Sequence, residues 1–178
     1  MKIIGVGGTL RKGSYSKALL LEAQKLAPIG VVIEITDIGS FPLYNPDIPM
    51  PKNVLEFKNK IKQADAILFS TAEYNFSVPG SLKNAIDWAS RPYGDNSWEG
   101  KPAAIMSEST GMLGGVKAQL HLRQMMLFLD MHPLNRPEVI VLSVKEKFDD
   151  AGNLTDEHTK EKIKELLEAL VKWTEKFK

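Results

Sequence analysis

Short apolar runs alternate with amphipathic stretches along the whole chain. The runs fall at residues 2–7, 31–36, 66–71, 103–107 and 139–143, and each gap is long enough to hold a helix. Strands that read as near-continuous apolar runs need cover on both faces, and parallel neighbours need crossovers of a dozen residues or more. The pattern therefore predicts an α/β fold, a three-layer sandwich in which a five-stranded parallel sheet carries helices on both faces. Apolar positions at helical spacing place those helices at 14–26, 53–63, 80–90, 116–130 and 155–177. At 178 residues and 43% hydrophobic, the chain is expected to form a single domain over 1–178 with a core that needs no staples.

Five alternating units of this length suit the strand order 2-1-3-4-5, whose ligand crevice lies at the carboxyl ends of the strands near strands 1 and 3. The loops after strands 1, 3 and 4 should then carry function. They are also the most unusual segments of the sequence.

The first of these loops runs from Gly8 through Thr9, Leu10, Arg11, Lys12 and Gly13 to Ser14, Tyr15 and Ser16. Two phosphate motifs come close to it and fail. A dinucleotide fingerprint would need a third glycine where Leu10 stands, and a P-loop would need a lysine after Gly13, where Ser14 stands. What remains is a helix N-terminus with free amides, the hydroxyls of Thr9, Ser14 and Ser16, and the guanidinium fork of Arg11, a set suited to a terminal phosphate monoester. A plainer reading leaves Ser14 or Ser16 as a helix cap and Arg11 and Lys12 as solvated charges.

The second loop, Glu73, Tyr74, Asn75, Phe76, Ser77, Val78 and Pro79, exposes two aromatics and an amide where the crevice should lie. An isoalloxazine ring needs an apolar wall for its faces and donors around its polar edge, and this segment supplies both. The alternative is a loop whose aromatics plug the top of the core while Pro79 starts the next helix. In the third loop, Ser107 is followed by a turn containing Gly111, Gly114 and Gly115, which would let a flat ligand approach the backbone.

Composition removes other classes. The chain has no cysteine, which excludes disulfides and thiolate chemistry, and its 23 basic and 22 acidic side chains give a net charge of +1, without the basic excess of a nucleic-acid binder. Glycines break the first apolar run, so neither a signal peptide nor a membrane span is expected there, and the expected compartment is the cytoplasm. His121, His132 and His158 show no metal spacing, and no metal site is expected. The Asp149–Asn153 stretch lacks the glycine position and final carboxylate of a calcium loop; it reads as a turn before the last helix, capped by Thr155.

Taken together, residues 8–16 and the run 73–88 resemble the NADPH-dependent FMN reductase family, the flavodoxin-like group that includes quinone, chromate and azo-dye reductases. Residues 43–47, 100–102 and 148–156 match further family stretches, so the likeness spans nearly the whole chain. The resemblance implies that Thr9, Arg11, Ser14, Tyr15 and Ser16 surround the FMN phosphate. It also implies that Glu73, Tyr74, Asn75 and Phe76 lie against the flavin ring, with Ser107, Gly111 and Gly114 on its far side. Thr9 stands where serine is usual, Ser16 where asparagine is common, and Ala72 where many members have proline.

The implied activity is hydride transfer from NADPH or NADH to FMN N5, then electron transfer to a small-molecule acceptor such as a quinone, ferric complex, chromate, azo compound or free flavin. No protein side chain is implied as a catalytic acid, base or nucleophile, because the cofactor carries the chemistry. The rival readings are a flavodoxin-type electron carrier and a flavin-binding redox sensor. Such carriers tend to be acidic, whereas this chain has a pI near 7.9. The fourth predicted helix is apolar almost all round, from Val116 to Leu129, which predicts a homodimer or homotetramer contact unless the chain's own loops cover it.

Overall fold

In a computed structural model describing residues 1–178, nearly every apolar run forms a strand and every amphipathic gap supplies its helix. The elements are β1 (Lys2–Gly7), α1 (Tyr15–Lys25), β2 (Val32–Thr36), α2 (Lys52–Gln63), β3 (Ala66–Ala72), α3 (Gly80–Ala89), β4 (Pro102–Glu108), α4 (Val116–Phe128), β5 (His132–Pro133), β6 (Val139–Val141) and α5 (Glu157–Thr174). All pairings are parallel, in the order β2-β1-β3-β4 with β5 and β6 both on β4. This is the anticipated flavodoxin-like order 2-1-3-4-5.

The anticipated five strands become six because the last position is split. β5 pairs with Pro102 and Ala103 at the start of β4, while β6 pairs with Met106 to Glu108 at its end. The ladder continues on both sides of Pro133, where the His132 and Leu134 amides donate to Lys101 and Ala103 at 3.0 and 2.7 Å, and it breaks before Pro137, which has no amide to donate. Arg123 fills the gap, donating to the Leu134 carbonyl at 3.0 Å and to Asn135 Oδ1 at 3.3 Å.

Side-chain alternation along each strand sorts two cores. Ile4, Val6, Ile67, Phe69 and Ile105 face α2, α3 and α4, whereas Ile3, Leu68 and Met106 face α1 and α5. Each fully buried Leu or Ile contributes about 2 kcal/mol. Trp98 is wholly buried on the first face, its indole donating to the Ile86 carbonyl at 3.1 Å.

Lys58 of α2 is also fully buried. Its ammonium donates to the carbonyls of Ala89 at 3.4 Å, Arg91, and Asp95 at 2.8 Å, and it pairs with the Asp95 carboxylate at 3.2 Å. A cation at the end of α3 meets the free carbonyls and negative dipole end of that helix, and so fixes the loop leading to Trp98.

One cap differs from the sequence reading. Asp156, not Thr155, caps α5: its carboxylate accepts from the Thr159 amide at 2.9 Å, while the Thr155 hydroxyl donates to the Lys147 carbonyl at 3.2 Å. Asp has an oxygen at the right reach for the N3 amide, which the neighbouring Thr155 forfeits by turning back. The preceding turn closes on Asp149, which accepts from the Asn153 amide at 2.7 Å.

Candidate functional site

The three strands at the centre of the sheet end level. Gly7 pairs with Ser70, Thr71 with Ser107 and Ala72 with Glu108, so the loops after β1, β3 and β4 leave from one edge. The Gly8 amide still donates to the Ser70 carbonyl at 2.8 Å, and a Cβ at Gly8 would lie 2.9 Å from Thr71 Oγ1. Only glycine lets the first loop turn off the sheet this close to its neighbour.

Beyond Gly8 the loop's own amides are idle. None of the backbone N–H groups from Thr9 to Ser14 donates to a carbonyl or side chain of the protein. Ser14 is the N-cap of α1, accepting from the Lys17 amide at 3.1 Å and from the Thr9 hydroxyl. The idle amides, the positive end of α1 and the exposed Arg11 side chain surround a cavity of about 180 Å³. Its wall brings together Thr9, Arg11, Gly13, Ser14 and Tyr15 from the first loop, Ala72, Glu73 and Tyr74 from the second, and Glu108, Ser109 and Thr110 from the third.

Several anticipated residues are held by contacts within the protein. The Ser16 hydroxyl is buried and donates to Glu108 Oε1 at 2.9 Å. The Glu73 carboxylate accepts from the Lys117 and Ala118 amides at 3.0 and 3.3 Å, capping α4. Tyr74 and Ser77 exchange backbone hydrogen bonds of 2.9 and 3.0 Å across Asn75 and Phe76, whose φ angles are 51° and 64°. That is a tight primed turn, which presents Phe76 outward with the Lys117 ammonium 3.0 Å above its ring centroid.

The glycine turn also divides its labour. Ser107 is buried and donates to the Gly114 carbonyl at 2.7 Å, while Gln119 donates to Ser107 at 3.0 Å and to Val139 at 2.9 Å. A Cβ at Gly114, where φ is 58°, would meet Ile140 at 2.5 Å, so this glycine serves close packing on β6. Gly111 faces open space, with only Ser109 Oγ nearby at 3.9 Å.

Glu108 escaped the sequence reading. It ends β4 and is buried; burial pushes its carboxyl above the usual carboxylate range, against the pull of the Ser16 hydroxyl, the Arg11 charge and the Ser16 amide. The one available signal was an acidic residue closing a largely apolar strand at a functional edge. A wider groove of about 960 Å³ shares Thr9 and Arg11 but runs along the open edge of β2 beside α1, away from the second and third loops.

The description NADPH-dependent FMN reductase belongs to the family that matches residues 1–146. An NAD(P)H-dependent FMN reductase of Pseudomonas aeruginosa is 48% identical, covering 100% of this chain and 97% of its own. The chain belongs to the NADPH-dependent FMN reductase family. An NAD(P)H:quinone oxidoreductase of Solanum tuberosum is 44% identical over 96% of this chain and 91% of its own. Among solved structures, FerB, a flavoenzyme NAD(P)H:(acceptor) oxidoreductase of Paracoccus denitrificans, matches with a TM-score of 0.90 and 39% identity, covering 99% of this chain and 98% of that one.

FMN, the cofactor of this family, offers one phosphoryl group and one flat ring system. The cradle fits the first, with idle amides, hydroxyls and one guanidinium converging at a helix terminus. Half-exposed Tyr74, with Ala72 and Thr110, fits the second by lining an aromatic and apolar wall next to that cradle. No helix is long and apolar enough to cross a membrane. No group of three or more His, Asp or Glu side chains is spaced to hold a metal ion.

Proposed function

We propose that this family member is an FMN-dependent NAD(P)H oxidoreductase that passes electrons to a small acceptor, a quinone, ferric complex, chromate, azo compound or free flavin. The observation that carries the reading is the row of unpartnered amides from Thr9 to Ser14 beside Arg11, at the edge where the aromatic loop and the glycine turn also emerge. When bound, FMN would supply the redox chemistry, its N5 being the atom that can accept a hydride from a reduced nicotinamide before two electrons pass to the acceptor.

The chain's own residues bind and orient. Arg11 and the loop amides hold the phosphoryl group, with Thr9 and Ser14 offering hydroxyls and Tyr15 closing the side. Tyr74 would wall the ring, with Asn75 and Phe76 at the tip of the same turn, and Gly111, which has open space where a side chain would stand, would let the ring approach the third loop. Amides of the second and third loops near the pyrimidine edge would favour negative charge there. Ser16, Glu73, Ser107 and Gly114 support this surface from behind through the contacts described above.

The apolar face of α4 supports a homodimer. Leu120, Leu127 and Phe128 are 61%, 81% and 73% exposed, while Leu122 and Met126 on the opposite face are buried. Packing α4 against a second copy would remove this surface from water. The cytoplasm, with its pool of reduced nicotinamides, suits such an enzyme.

Anaerobic mixing of the FMN-loaded protein with NADPH or NADH tests the activity. Rapid bleaching of the flavin absorbance is expected, followed by recovery of colour when a quinone is added. A yellow protein that ignores both nicotinamides and takes electrons only from a separate reductase would overturn the enzyme reading.

A further inference from the structure

A buried acid stands in the wall of the anion cradle. Glu108 lines the same cavity as Arg11 and Ser14, and its Oε1 accepts the Ser16 hydroxyl at 2.9 Å. Ser16 lies in the first turn of α1, so this carboxyl sits at the helix terminus whose idle amides face the cavity. An ionised Glu108 and a phosphoryl group would be two anions sharing one helix end and one guanidinium in a poorly solvated place.

Arg11 is the one cation on the wall of this cavity; Lys12, Lys17 and Lys145 line an adjoining hollow that shares Arg11, Gly13, Ser14 and Tyr15 with it. The first loop contributes Arg11, and α1 contributes Ser16 with Tyr15 on the cavity wall. The second loop contributes Tyr74 and a further acid, Glu73, whose charge is directed to the amides of α4. The third loop adds the hydroxyls of Ser109 and Thr110, and β6 presents Val141 beside Glu108.

We propose that Glu108 takes up a proton when a phosphate monoester enters the cavity, so that FMN binds together with one proton and the Glu108–Ser16 pair sets the pH range over which the protein loads its cofactor. The proton passes from solvent to a carboxylate oxygen, and the neutral acid then offers a donor in place of a repelling charge. Burial already disfavours the charged form of this group. This inference rests on the assignment of the FMN phosphoryl group to the cradle.

Titration of FMN and of riboflavin into the flavin-free protein, followed by quenching of flavin fluorescence from pH 5.5 to 8.5, tests it. The ratio of FMN dissociation constants, wild type over Glu108→Gln, should rise about tenfold across this range, as a proton-linked site with displaced pKa values requires. The phosphate's own ionisation near pH 6 is common to both proteins and cancels in the ratio. The riboflavin ratio should stay flat, and calorimetry in buffers of different ionisation heat should show proton uptake with FMN by wild type and less by Glu108→Gln. Parallel pH profiles, or equal proton uptake in the two proteins, would overturn the proposal.

Ser16→Ala gives an independent check should Glu108→Gln fail to fold. Loss of the hydroxyl removes a bond that favours the charged acid, so the pH profile for FMN should move to higher pH; an unmoved profile counts against Glu108. Equal affinity for FMN and riboflavin in wild type, unaltered in Arg11→Ala, would instead remove the cradle assignment itself and the proposal with it.

Discussion

The carboxylate of Glu73 accepts the backbone amide of Lys117 at 3.0 Å, which ties the end of β3 to the first turn of α4. The N-cap of α4 is Gly115, in a left-handed conformation and with no side chain to bond. Glu73 therefore replaces the missing cap from a distant loop, and a negative charge there also meets the positive helix end. Glu73→Ala should lower unfolding stability by about 1–2 kcal/mol in urea. By releasing the loop that carries Tyr74, it should also weaken FMN binding several-fold. Glu73→Gln retains an acceptor and should recover part of the stability; an unchanged urea midpoint in Glu73→Ala would discard the capping role.

Arg11 is the one guanidinium on the cradle wall. A charge-assisted fork to phosphate is worth about 1.5–3 kcal/mol, so Arg11→Ala should weaken FMN by roughly 10- to 100-fold. Riboflavin, which has no phosphate, should bind both proteins alike. Arg11→Lys keeps the charge and loses the fork, and should fall between them. Turnover of whatever protein stays flavin-loaded should change far less than affinity. Equal FMN affinity in parent and Arg11→Ala would refute the role.

How much of this was legible beforehand depends on the range of the interaction. The apolar run from Ile3 to Val6 and the helical spacing of Leu82, Ala85, Ile86 and Ala89 are local signals, and they located the strand and the helix; the sheet order followed from the number and length of the alternating units, and the division into two cores emerges only in the folded chain. The cap at Ser14 was equally local. What Ser16 and Glu73 bond to was not, because their partners lie far along the chain, Glu108 at the end of β4 and Lys117 in α4; Ser107 turns to Gly114 within its own loop, a contact that depends on how the turn folds back. Hydroxyls and carboxylates look alike in sequence whether they face a ligand or a helix end. The split of the last strand is braced by Arg123, a residue on a different element, whose bonds to Leu134 and Asn135 no local pattern announces.

The exposed side of α4 gives a solution test. Leu127 and Phe128 are large, apolar and 81% and 73% exposed. If a second copy covers them, Phe128→Glu buries a charge in the contact and should convert the assembly to monomer, read by light scattering at micromolar concentration. The variant should keep the parent's circular dichroism, since Phe128 packs little in the isolated chain. A parent that is already monomeric would rule the contact out.

Lys58 should be a stability residue rather than a functional one. Lys58→Met fills the space but leaves the carbonyls of Ala89, Arg91 and Asp95 without their donor. Buried acceptors stripped of a charged partner cost about 2–4 kcal/mol, which should appear as a lower urea midpoint. FMN affinity of the folded fraction should be unchanged, because the lysine serves the far end of α3. A midpoint equal to the parent's would show that water replaces the ammonium without loss.

Asp156 supplies a pH-dependent share of stability. Its carboxylate accepts from Lys147 Nζ at 2.8 Å and from the Thr159 amide and hydroxyl at 2.9 and 2.6 Å. The Lys147 bond foremost, then those from Thr159, lower its pKa from 3.8 to about 2. The native state thus holds the ionised form more tightly than the unfolded chain does, so the contribution is complete above pH 3.8 and fades as pH falls through about 2. The group is partly exposed to solvent, which screens the ion pair, and a net worth of about 1 kcal/mol follows for cap and pair together. Asp156→Asn should therefore be less stable than the parent by about that amount at pH 7, with the gap closing below pH 4. Urea unfolding of both proteins from pH 7 down to 2.5 measures it, and a gap that stays constant to the lowest pH would mean that the ionised carboxylate is not the source.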